Sequence, residues 1–289
     1  MSIDILHGKI RKLKNPLMVD FGMKEENIPA DLIAQEASFV KAYERFCVEL
    51  LEELKDAVPA VRFPFDAFAL LGTDGLEALA RLLEKAKELD YYVLLDGPAI
   101  LSPWAADRAA KTIFEDNKFP CDGLLISPYI GSDALKPFME FVKDGEKDLF
   151  ILVHSANKSS VELQDLLTGS RHVYSAAAEM VNRFGEQIIG KCGYSRVCAA
   201  ASAANGEQLR TLRGKHNRTF LLVDGIDYPS GNAKNCSYAF DRFGFGAVVC
   251  ACPSVTAAWQ ENEERDYLTA ARQGVERIKK NLNRYFSIM

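Results

Sequence analysis

The sequence predicts an α/β protein folded as a single (β/α)8 TIM barrel over residues 1–289. Three observations carry that expectation. Eight short apolar runs recur along the chain, helical segments alternate with them, and no Pro/Gly/Ser-rich linker divides the series. Neither G-x-G-x-x-G nor G-x-x-x-x-G-K-[ST] occurs, which counts against the open-sheet dinucleotide and P-loop alternatives.

The strands are expected at LMVDF (17–21), AVRFPF (60–65), YYVLLD (91–96), DGLLIS (122–127), LFILVHS (149–155), SRVCAAAS (195–202), TFLLVDGI (219–226) and AVVCAC (247–252). The runs are continuously apolar rather than alternating, as parallel strands buried on both faces require. Residues 35–57 place Phe39, Tyr43, Phe46, Cys47, Leu50, Leu51 and Leu54 at three- and four-residue spacing, an amphipathic helix that Pro59 stops. Thr73 and Asp74 compete to cap a helix at 75–89, with Glu77 in capping-box position for Asp74. Ser102 before Pro103 marks another helix start, because proline fits the first helical position. Ser132 is expected to cap 133–143 and Ser254 the next helix, and 263–285 reads as a charged, amphipathic terminal helix.

Composition excludes several function classes. The chain is 48% hydrophobic and 26% charged, which places it with soluble globular proteins. Its net charge of −5 gives no basic field for nucleic acid or an anionic membrane, so an anionic small ligand needs a local cationic pocket. No run approaches the roughly 18 apolar residues of a membrane span, and the first twenty residues hold no signal-peptide core. Seven cysteines without a secretion signal read as reduced thiols in a cytoplasm. Cys250 and Cys252 could face the same way as a metal pair, but no further ligands stand near them in sequence, so buried thiols are the expectation. No metal or cofactor is expected.

Barrel enzymes work at the C-terminal ends of their strands. The polar residues there are Asp20, Arg62 with Asp66 after it, Asp96, Ser127, His154, Ser155, Asn157, Ser202, Asp224 and Asp227. Arg62 within an apolar strand demands a partner, and Asp20 or Asp96 can supply it. Asp96, before Gly97–Pro98, is either functional or a turn former. His154 is a base or a histidine bonded to loop backbone, and Asp224 with Asp227 is a functional pair or a loop builder. Ser127 and Ser202 read as hydroxyls that satisfy backbone. No Ser–His–Asp order stands out.

At this point the residues resemble a known family. LLGTDGLEAL (70–79), SPYIGSDALKPFMEF (127–141) and LFILVHSANKSSVELQDL (149–166) are similar to the longer bacterial branch of orotidine 5′-monophosphate decarboxylase, with LLVDGI (221–226) and GFGAVVCACP (244–253) matching more loosely. The likeness runs in order from about residue 17 to 260. It implies a homodimeric barrel that converts orotidine monophosphate to uridine monophosphate without cofactor, in pyrimidine biosynthesis. The resemblance places Asp20 on the first-strand aspartate that contacts the nucleoside and Arg62 where the family has a lysine. Asp96 matches the first aspartate of the hallmark Asp-x-Lys-x-x-Asp, whose lysine is replaced by Pro98 and whose second aspartate is replaced by Leu101. Asn157 and Ser155 fall in the strand-five Thr-Ser-Asn motif. Gly225 lies where the family has a glycine-rich phosphate loop, and Pro253 replaces the arginine after strand eight.

These departures imply impaired chemistry. The family reaction builds carbanion character that an ammonium stabilises and then protonates, and proline can do neither. The expectation is a decarboxylase-family barrel with Asp96 and Arg62 left as catalytic remnants. Asp20, His154, Ser155, Asn157 and Gly225 are the ligand-binding candidates, for a pyrimidine nucleotide or related small molecule. The alternatives are an active decarboxylase using substitutes such as Arg62, His154 or Lys111, and a non-enzymatic partner of a competent paralogue.

Overall fold

In the computed structural model, which describes residues 2–261 and 266–289, eight parallel strands close into a barrel in chain order. They are β1 (Leu17–Asp20), β2 (Ala60–Pro64), β3 (Tyr92–Asp96), β4 (Gly123–Ile126), β5 (Asp148–Leu152), β6 (Val197–Ser202), β7 (Leu221–Asp224) and β8 (Ala247–Ala251). Each pairs with the next, and β8 pairs with β1 to complete the ring. All eight apolar runs become strands, so the TIM-barrel expectation holds. Register sets the polar ends side by side: Asp20 pairs with Arg62, Pro64 with Asp96, and Ser202 with Asp224.

Alternate strand residues point to two cores. Val19, Val61, Leu95 and Ile151 face outward beneath the surrounding helices. Met18, Ala60, Tyr92, Leu94, Phe150, Cys198, Leu222 and Val248 fill the barrel. The N-terminal end is stoppered by helix α1 (Ser2–Leu13), which buries Ile3, Leu6 and Ile10 along one face against that inner cluster. Each such side chain contributes about 1.5–3 kcal/mol by leaving water. The sequence reading overlooked α1 because its apolar stripe is three residues wide within a basic segment.

The main surrounding helices are α2 (Phe39–Leu54), α3 (Thr73–Glu88), α4 (Pro103–Ala110), α5 (Val173–Gly185), α6 (Gly206–Lys215) and α7 (Tyr267–Leu282). Ser102 caps α4 as expected, its hydroxyl accepting the Ala105 amide at 3.2 Å with Pro103 at the first position. Other helix starts need correction. The segment expected from residue 35 divides into a short helix, Ala30–Gln35, and α2, which Ser38 caps. Neither Thr73 nor Asp74 caps α3; the cap is Gly72 at φ +82°, a conformation that glycine adopts without strain. Ser132 starts no continuous helix: 133–143 breaks into turns, Gly131–Ala134 and Lys136–Phe138, before Met139–Lys143, and Pro137 lacks the N–H that continuity would need. Ser254 lies inside the short helix Pro253–Thr256, whose cap is Cys252. The terminal helix begins at Tyr267, and the part expected at 263–265 lies outside the described residues. Also unforeseen is a small hairpin, Leu167–Thr168 with Arg171–His172, in the long connection after β5. No described helix is long and apolar enough to cross a membrane.

Candidate functional site

The C-terminal ends of β1, β2, β7 and β8 enclose a cavity of about 410 Å³. Arg62 sits at its base because its strand position points inward, beside Cys250. One amino group donates to Asp20 Oδ2 at 2.7 Å and the other to Asp224 Oδ2 at 3.0 Å. Its Nε is buried without a partner. Burial opposes the guanidinium's charge, but Asp20 and Asp224 outweigh it and hold the group protonated.

The same carboxylates also occupy the backbone donors around the cavity. Asp20 Oδ1 accepts the Gly22 amide at 3.0 Å, and Asp224 Oδ1 accepts the Gly225 amide at 2.8 Å. Asp227 Oδ2 accepts the Cys252 amide at 2.8 Å. Gly225 is at φ +80°, and a Cβ there would lie 2.5 Å from that of Ala156, so this turn requires glycine. Loops after strands seven and eight of a TIM barrel are frequent phosphate seats, because their N–H groups converge on an anion. Here internal carboxylates already take the place of that anion.

Asp96 adds to the negative charge. Burial pushes its carboxyl up to about 6; Arg62 counters this, while Asp20 and Asp224 add to it. Burial likewise raises Asp227. The cavity lining holds Asp20, Glu26, Asp224 and Asp227 against Arg62 and Lys24. Lys24 pairs with Glu26 at 3.4 Å at the exposed rim. The sequence reading missed it; its one signal is a position four residues past Asp20. Cys250 and Cys252 both line the cavity, and burial pushes the Cys252 thiol up to about 12. Among the described residues no cluster of His, Cys, Asp and Glu is arranged to hold a metal.

The structure thus brings Asp20, Arg62, Asp224 and Gly225 together, with Asp96 within electrostatic reach. The other candidates lie elsewhere. His154 is buried and bonds through Nε2 to Asp165 Oδ1 at 3.1 Å, where Gln208 Nε2 also donates. Ser155 and Asn157 join a local network with Gln164: the Ser155 hydroxyl donates to Asn157 Oδ1 at 2.6 Å, and Gln164 Nε2 donates to that hydroxyl at 2.7 Å. None of the three lines the cavity. Pro98 is half-buried and Leu101 is 80% exposed, in the loop between β3 and α4.

Comparison with known proteins finds a likeness over nearly the whole chain. The chain is 28% identical over 287 residues to an orotidine 5′-phosphate decarboxylase of Clostridium novyi, covering 98% of this chain and 99% of that one. It is 27% identical to the enzyme of the same name from Caldicellulosiruptor bescii, covering 97% of each. This chain is a homologue of the orotidine 5′-phosphate decarboxylases. No family model matches it. Solved structures of that fold superimpose closely: a putative orotidine-monophosphate decarboxylase of Toxoplasma gondii at TM-score 0.76 and 20% identity, over 95% of this chain and 98% of that one. One from Streptomyces avermitilis gives 0.74 and 20%, over 99% and 97%. An orotidine 5′-monophosphate decarboxylase of Methanocaldococcus jannaschii complexed with the inhibitor BMP gives 0.64 and 15%, over 93% and 99%.

Proposed function

We propose that this homologue keeps the decarboxylase barrel but has lost, or retains only in strongly impaired form, the conversion of orotidine monophosphate to uridine monophosphate. One observation carries the reading: Arg62 and the amides of Gly22, Gly225 and Cys252 are all engaged by the chain's own carboxylates. A phosphate arriving there meets anions in front of these donors, and the unpartnered Arg62 Nε is buried. The reacting end is equally poor, because Pro98 and Leu101 stand where the resemblance puts a lysine and an aspartate. Loss of even one preorganised charge-stabilising donor costs on the order of 10²–10³ in rate.

Substitution by other groups has little to support it. Arg62 is held by two aspartates, and His154 is turned to Asp165. Lys111 follows α4 at the exposed surface, 3.7 Å from Asp107. Asp20, Arg62, Asp96 and Gly225 are the residues proposed to meet a ligand, and one without a phosphate suits the acidic cavity better than a nucleotide. Pairing with a second chain, as the resemblance implies, is favoured by the exposure of Leu70, Leu101, Trp104 and Tyr129, each at least 71% accessible.

Expression in a decarboxylase-null, uracil-requiring bacterium tests the proposal. No growth without uracil is expected; rescue by this chain would overturn the reading. Uridine monophosphate should leave the backbone amide signals of Gly22, Gly225 and Cys252 unmoved in an NMR titration, and shifts there would contradict the acidic-cavity argument.

A further inference from the structure

A second cavity, about 840 Å³, opens at the opposite end of the barrel, between α1 and the segments leading into β6, β7 and β8. Four arginines, Arg11, Arg213, Arg218 and Arg242, line it against one aspartate, Asp241. In a chain of net charge −5 this concentration runs against the overall balance. Asp241 is already engaged, accepting the Tyr194 hydroxyl at 2.6 Å and the amides of Phe243 and Phe245 at 2.8 and 2.9 Å. Arg213 is structural, since its donors hold the carbonyls of Ala239, Asn217, Thr219 and Gly246.

The other three arginines have no such role. All are exposed, and among the described residues none is ion-paired to a carboxylate. Arg218 makes a single long contact, 3.5 Å, to the Gly193 carbonyl, and Arg242 lies 4.6 Å over the Phe243 ring. Beside them stands an aromatic wall: the rings of His7 and Phe245 are 4.5 Å apart, with Tyr194 behind. Guanidinium forks match phosphate oxygens, and flat rings accept a stacked base.

We propose that this N-terminal bowl binds a nucleoside phosphate, its phosphates on Arg11, Arg218 and Arg242 and its base against His7, Phe243 and Phe245. The volume lies within the range of small-molecule sites, roughly 300–1,000 Å³. A bare anion would leave the ring wall unused. The inference is independent of what the mouth of the barrel does.

Calorimetry on the whole chain tests it, with ADP, UDP, pyrophosphate and adenosine as probes. The diphosphates should bind, pyrophosphate and adenosine more weakly, and added salt should reduce the affinity. Because Arg218 and Arg242 are exposed, Arg218→Gln/Arg242→Gln should fold normally by circular dichroism yet bind the diphosphates at least about tenfold more weakly. The His7 ring signals should move on titration of the parent chain. Absence of binding, an unchanged affinity in the double variant, still His7 signals, or pyrophosphate binding as tightly as the diphosphates would each overturn the proposal.

Discussion

Two buried arginines sit at opposite ends of the same barrel, and the chain holds them differently. At the N-terminal end Arg196 donates from Nε to Asp148 at 3.2 Å and from its amino groups to the carbonyls of Val142 and Lys147 at 2.7 and 2.6 Å. Asp148 also accepts the Tyr92 hydroxyl at 2.8 Å, and neither partner reaches solvent. At the C-terminal end Arg62 has two carboxylates, an unpartnered Nε and an adjoining cavity, and Asp224 remains 36% exposed. The first arrangement is a closed structural joint. The second is a partly open cluster in which carboxylates outnumber cations, and the proposed ligand site lies there.

The largest expected effect tests that contrast directly. Arg196→Leu leaves Asp148 buried beside Tyr92 without its cation, and should cost about 3–5 kcal/mol of unfolding free energy. Arg62→Leu leaves Asp20 and Asp224 free to take water from the cavity, and should cost about 1–3 kcal/mol. Urea titration of both variants measures the gap. Equal losses would mean that the mouth arginine is as structural as the other, and the comparison fails.

Proton linkage sharpens the same contrast. The Asp96 carboxyl lies at about 6 in the folded chain against the ordinary 3.8, because of burial. Between those values the folded chain keeps a proton that the unfolded chain has released. Its contribution to stability is therefore full below pH 4 and falls as pH rises through 6. Asp96→Asn removes this loss and should stabilise the chain at pH 7 by on the order of 3 kcal/mol, with the advantage vanishing near pH 4. Asp148, also raised to about 6 by burial, is present in both proteins and cancels in the difference. A gain that did not depend on pH would locate the effect in packing instead.

How much of this was legible beforehand divides along the same line. The eight strands were readable because burial on both faces leaves continuous apolar runs, and Arg62 stood out as a charge inside one of them. Asp20 was one of the two partners that the neighbouring strand ends offered it, Asp96 being the other, and the structure selects Asp20. Asp224 as the second partner did not, because the closure that turns β7 toward β2 across the mouth is a property of the ring and not of local sequence. His154 was misleading for a related reason. Its position after β5 suits a barrel base, but the 153–172 connection folds over it and supplies Asp165, a contact that depends on the path of a long loop. Caps failed where glycine geometry at Gly72 or the interruption at Pro137 outweighed the side-chain signal.

The smallest expected effect asks whether the mouth can be returned to anion binding. Asp224→Ala frees the Gly225 amide and one Arg62 amino group at once, while Asp20 still holds the other. Inorganic phosphate, which the mouth of the parent chain should ignore, then finds two converging donors there, in a loop position suited to it. Charge-assisted bonds of this kind are worth more than neutral ones, but Glu26 and Asp227 remain on the wall and offset part of the gain. A stabilisation by saturating phosphate of about 1 kcal/mol beyond that of the parent chain, or roughly 2 °C in melting temperature, is the expected size. Asp227→Ala, which frees only the Cys252 amide, should give less. If neither variant responds to phosphate, occupied donors are not what keeps the anion out, and the unfavourable field of the remaining carboxylates is sufficient by itself.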